Sequence, residues 1–188
     1  MKKIILFLIF TCCAFSFCNA QDSKQRLISE IKAANTIECY YLGQAARPSA
    51  LFKKADTLNT LLSMKEKIQL FADSNRVLKY YCFYNIMSEN DSIAFELLKQ
   101  VIDDSAETQY FCGCIIESFP FNSLLVNKYS QFIEAKYKDG NPTVMGDDRR
   151  VHMFPKSDKK KYKEKYNQLM LLIDQSIYKD LILKYIHY

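Results

Sequence analysis

Glycine and proline are scarce in this chain, four of each among 188 residues, and tryptophan is absent. A β-sandwich or barrel needs a turn signal roughly every 8 to 12 residues, so a chain this poor in turn formers is not one of them. No two glycines are grouped, which leaves no loop to cradle a phosphate. Histidine is nearly missing: His152 and His187 are the only two. Any Cys-His or Ser-His mechanism would have to use one of them, and two histidines among scattered acids make a poor metal set. No metal or other cofactor is expected. Charge of one sign is also modest. The formal net charge of +5 falls to +3 when Lys2 and Lys3 leave with the N-terminal segment, too little to imply nucleic acid.

The chain opens MKKIILFLIFTCCAFSFCNAQDSK, two lysines before an uncharged run from Ile4 to Phe17 and a small-residue ending at Cys18-Asn19-Ala20. This is the pattern of a bacterial secretory signal peptide, residues 1–20, with cleavage after Ala20. Its apolar run of 14 residues is short of the roughly 20 a membrane-spanning helix requires, so no transmembrane segment is expected after cleavage. Phe17 before Cys18 does not suit lipidation. The expected location is periplasmic or secreted. The remaining 168 residues fit one domain, 21–188.

Apolar periodicity along that domain reads as helix nearly everywhere. Arg47-Pro48-Ser49 introduces Leu51, Ala55, Leu58 and Leu62. Ser63-Met64-Lys65-Glu66 is a capping box. Asp73-Ser74-Asn75 and Asn90-Asp91-Ser92 punctuate two further stripes, and Asp103-Asp104-Ser105 stops the second. From Pro120 a helix carries Leu125, Tyr129, Phe132 and Ile133. The irregular loop 139–157 holds two of the four glycines and two of the four prolines, and a C-terminal helix is expected over 158–187. Short turns between helices of 10 to 15 residues indicate antiparallel neighbours.

At a shift of 30, "LKYYCFYNI" (Leu78 to Ile86) falls on "TQYFCGCII" (Thr108 to Ile116), matching Tyr80 with Tyr110, Cys82 with Cys112 and Ile86 with Ile116. A period near 30 suits a helical hairpin, and Leu78-Lys79-x-x-Cys82-x-x-x-Ile86 resembles the second helix of HEAT-like (armadillo-type) repeats over about 49–118. The resemblance implies an all-α domain of stacked antiparallel hairpins, with Cys82 and Cys112 as small residues where helices approach. Both are then expected to be buried, unpaired thiols, since equivalent helices lie about 8 to 10 Å apart, beyond disulfide reach. Disulfides stay open in an oxidising compartment, and Cys39 is the only other candidate partner. Cys112-Gly113-Cys114 has the wrong spacing for a zinc or redox pair.

The expected function is a non-catalytic interaction or scaffold module with a protein partner. The partner-binding residues proposed from composition are Arg149, Arg150, His152 and Phe154, because arginine beside Met and Phe is interface-like. One alternative is a hydrolase or thiol enzyme using His152 with Asp147, Asp148 or Cys114; another is a carrier of a small apolar ligand on the tyrosines at 80, 81, 84 and 110. The lysines at 156, 159, 160, 161, 163 and 165 read as the solvated half of an amphipathic helix.

Overall fold

A computed structural model describes residues 21–43, 45–139, 143–144, 151–152 and 157–186. It overturns the all-α expectation. A four-stranded mixed sheet in the order β2-β1-β3-β4 lies among the helices, so the fold is α+β and the HEAT-like architecture does not hold. Strand β1 (Thr36–Leu42) pairs antiparallel with β2 (Arg47–Pro48) and parallel with β3 (Glu107–Gly113), which forms a hairpin with β4 (Ile115–Pro120). Helix α1 occupies 21–32. Between β2 and β3 run α2 (Ala50–Leu61), α3 (Met64–Phe71), α4 (Arg76–Glu89) and α5 (Asp91–Val101). After β4 come α6 (Phe121–Ile133), a π-helical turn (Glu134–Asp139), the short strands β5 (Thr143–Val144) and β6 (Val151–His152), α7 (Lys159–Gln175) and α8 (Lys179–Tyr185).

The two windows that align at a shift of 30 adopt different structures. Leu78 to Ile86 lies in α4, while Thr108 to Ile116 is the β3–β4 hairpin. The second window alternates in burial, with Thr108 and Tyr110 buried and Glu107 and Gln109 exposed, which is the period of a half-buried strand. Gly113, at φ 57°, sits at the first position of the two-residue turn joining Cys112 to its partner Ile115, where a hairpin turn favours glycine. The Cys-Gly-Cys stretch is therefore a turn. Cys112 is bonded to Cys39 across β1 and β3, with Cα atoms 5.0 Å apart, which corrects its reading as an unpaired thiol on a helix. Cys82 is a buried free thiol, and burial pushes it up to about 12.

Several local signals are realised as capping geometry. The Ser63 side chain accepts from the Glu66 amide, and the Glu66 carboxylate accepts from the Ser63 amide at 2.7 Å. Lys24 and the Ser63 cap hold that carboxyl down at about 2. Asn75 and Asn90 cap α4 and α5 through the amides of Leu78 and Ile93. Asp104 takes a two-pronged bond from Arg76 (2.8 and 3.2 Å), and Ser176, at the α7–α8 break, donates to Asp103 at 2.7 Å. Ser176 thus ends the C-terminal helix expected to run to 187.

The core is built on α4 and α6, which are buried nearly all round, as expected of helices with no solvent face. Tyr81 of α4 joins helix to sheet. Its hydroxyl accepts from the Glu38 amide at 3.0 Å and donates to the Glu38 carbonyl at 2.8 Å. Strand β2 pairs only with Tyr41 and Leu42, so the phenol serves Glu38 where β2 does not reach. Tyr80, Tyr81, Tyr84 and Tyr110 are all buried, and ring pairs of Tyr80 with Tyr84 and Tyr110 put them in the core.

Candidate functional site: a groove between two helices

The partner-binding residues drawn from composition cannot be placed. Arg149, Arg150 and Phe154 lie outside the described residues, as do Asp147, Asp148 and His187; of His152 only the backbone is described, in β6 opposite Thr143. Cys114 is exposed at the hairpin turn. Among the described residues no three His, Cys, Asp or Glu side chains group to hold a metal.

The structure instead brings together α5 and α7, which the sequence separates by more than 50 residues. Two adjoining hollows lie between them. One, of about 250 Å³, is lined by Ser92, Phe95 and Glu96 with Lys161, Glu164, Lys165 and Gln168. The other, of about 390 Å³, shares Phe95, Glu96 and Gln168 and adds Lys99, Leu171, Leu172 and Gln175. Residues 92, 95, 96 and 99 form one face of α5, and 161, 164, 165, 168, 171, 172 and 175 one face of α7. Moving along the groove raises both residue numbers together, so α5 and α7 run in the same direction and their N-termini share one end. Phe95 packs against Tyr129 of α6 at 5.8 Å between ring centres, so α6 supports the floor.

The end at the two N-termini is basic and built around Asp91. Its carboxylate accepts from the Tyr137 hydroxyl at 2.6 Å and pairs with Lys165 at 3.2 Å and Lys136 at 3.8 Å. Burial opposes its ionisation, but the Tyr137 hydroxyl and the two lysines outweigh it and lower its pKa. Burial, together with Lys161 and Lys165, pulls the Lys136 ammonium below its ordinary value against the attraction of Asp91. Lys161 lies 4.9 Å above the Tyr137 ring. Lys136 and Tyr137 are both carried on the π-helical turn, and such turns recur at functional sites. At the opposite end, Leu171 is 62 % exposed beside the uncharged Gln168 and Gln175.

A second apolar pair, Ile115 and Ile116, is 61 % exposed at the hairpin, on edge strand β4. That edge is six residues long, carries Glu117 and ends in Pro120, features that discourage pairing with another strand.

The lysine stripe of α7 and its apolar continuation were legible in the sequence; that they form one wall of a groove was not, because the other wall comes from α5. No described helix is long and apolar enough to cross a membrane, and the Cys39–Cys112 bond is compatible with an oxidising compartment. Comparison with protein-family models, with curated proteins and with solved structures returns no match to this chain.

Proposed function

We propose that this protein is an exported, non-catalytic interaction module, freed of its leader after Ala20, that holds a segment of a partner protein in the α5–α7 groove. The observation that carries the reading is the groove itself: two helix faces at regular spacing, an apolar floor of Phe95 and Leu172, an exposed Leu171 and a charged rim. An apolar centre with a polar rim is the anatomy of a protein interface. The thiol-enzyme alternative rests on Cys114, which is exposed at the β3–β4 turn and does not line the groove; the other free thiol, Cys82, is buried with its pKa raised to about 12, against forming a thiolate nucleophile. The segment 139–157 follows the π-helical turn and precedes α7, so both its ends meet the basic end of the groove; Arg149, Arg150, His152 and Phe154 are proposed to extend the contact from there.

The mature chain, used as bait in an envelope extract, tests this. Leu171→Asp is expected to abolish capture of the principal partner without changing the melting temperature, because the side chain is exposed. Capture that survives Leu171→Asp places the binding surface elsewhere. Arg149→Ala with Arg150→Ala is the companion variant, expected to weaken capture at unchanged stability.

A further inference from the structure

The groove is polarised along its length. Ser92 and Lys161, in the first turns of α5 and α7, lie at one end, so both helix macrodipoles present their positive ends there. Lys136 and Lys165 are held by Asp91, which also accepts from Tyr137, and the exposed Lys161 adds a further positive charge. Glu164 shares the rim, and Glu96, further along, is paired with Lys99. The far end carries Leu171 and Leu172 between Gln168 and Gln175, with Lys99 on its rim offset by Glu96. Resting on the interaction reading above, we propose that the occupant is an amphipathic helix of the partner protein, lying antiparallel to α5 and α7, apolar towards its N-terminus and rich in Asp and Glu towards its C-terminus.

Each part of the proposal has a physical reason. The walls are helical ridges at i, i+3, i+4 and i+7 spacing, which accept the ridges of a third helix. The α7 wall from Lys161 to Gln175 is about 21 Å long at 1.5 Å per residue, the length of about 14 residues of helix. The antiparallel direction sets the negative end of the occupant's dipole on the positive ends of α5 and α7. Carboxylates in its last turns then meet the exposed Lys161, and leucine-like residues in its first turns cover Leu171, Leu172 and Phe95.

The test places a photo-crosslinking p-benzoylphenylalanine at position 161 or 171 of the mature chain and identifies the captured partner peptides by mass spectrometry. Both crosslinks are expected within one segment of about 14 residues, with that from position 161 nearer its C-terminus and beside Asp or Glu. Lys161→Glu, on an exposed side chain, should weaken binding of a synthetic peptide of that segment about fivefold, and the peptide should gain helical circular dichroism on binding. Reversed crosslink order, a basic segment or a peptide that binds without gaining helix overturns the proposal about the occupant while leaving the groove as the site. Capture insensitive to Leu171→Asp, with no crosslink from either position, overturns the groove reading and this inference with it.

Discussion

Reducing the Cys39–Cys112 bond is the most informative perturbation of the fold, because it changes no side-chain volume beyond the bond itself. The bond closes a loop of sequence separation 73. In the chain-entropy treatment, a loop of that size removes about 15 cal/mol/K from the unfolded ensemble, or about 4 kcal/mol at 25 °C. At about 1.4 kcal/mol per factor of ten, that is roughly a thousandfold in the folding equilibrium. With a urea dependence of about 2 kcal/mol/M, the midpoint of the mature chain should fall by about 2 M when reductant is present. The slope should rise slightly, since the reduced chain unfolds to a more open state. The assay is a pair of urea titrations followed by circular dichroism, with and without reductant, on wild type and on a Cys39→Ser, Cys112→Ser variant that should ignore reductant. Thiol titration supplies the control. Without reductant the mature chain should react at Cys114 when native, and at Cys82 as well after denaturation. A midpoint shift below about 0.5 M, or all four mature-chain cysteines reacting in unreduced protein, would refute the bond or its assigned role.

Other outcomes follow from single side chains. Gly113→Ala meets no atom within 4 Å, so its cost should come from the left-handed backbone alone, about 1 to 2 kcal/mol by urea denaturation. Lys67 is 4 % exposed and paired with the half-exposed Glu89. Glu89→Ala, which strands a buried ammonium, should cost about 2 kcal/mol, whereas Lys67→Met should be close to neutral; equal losses would show the charge to be immaterial. Asp91 has a folded-state pKa below its ordinary 3.8, so its contribution is present above about pH 4 and is lost as pH falls through the lower value. Asp91→Asn should therefore be less stable than wild type at pH 7, and thermal melts of the two should converge on acidification below pH 4.

Local chemistry was the legible part of this chain. Ser63 with Glu66, and the Asn75 and Asn90 breaks, are short-range signals whose partners lie three residues away, and the side chains bond where the sequence says they should. The sheet was hidden for the opposite reason. Strand β1 finds β3 through a parallel pairing that spans four helices, and nothing within a short window of sequence records it. Two signals were nonetheless present: Thr36 to Leu42 is rich in β-branched and aromatic residues, a strand composition, and Gly113 between two apolar runs is a hairpin mark. A similarity in composition between residues 78–86 and 108–116 outweighed them, yet the alternating burial of 107–110 against the continuous burial of 80–87 is what separates the two windows. The groove was illegible for the same reason as the sheet, since its walls come from α5 and α7, far apart in sequence, and its floor rests on Tyr129 of α6.

The parallel pairing of β1 also bears on how the chain reaches its native state. Thr36 to Leu42 has one charged residue and neither glycine nor proline among its seven, the make-up of a segment that readily enters amyloid-like stacks. Its native neighbour β3 begins at Glu107, so the strand stays without that neighbour until the four helices between them have been accommodated. Non-local pairing of this kind forms slowly, because loop closure precedes the contacts that reward it. Throughout that interval the two edges of β1 are open to other chains, and any substitution that delays docking of α4, whose Tyr81 shields the strand at Glu38, lengthens the exposure. Destabilised variants of the crossover helices should accordingly appear first as insoluble aggregate rather than as soluble, partly folded protein, with β1 as the segment through which copies join.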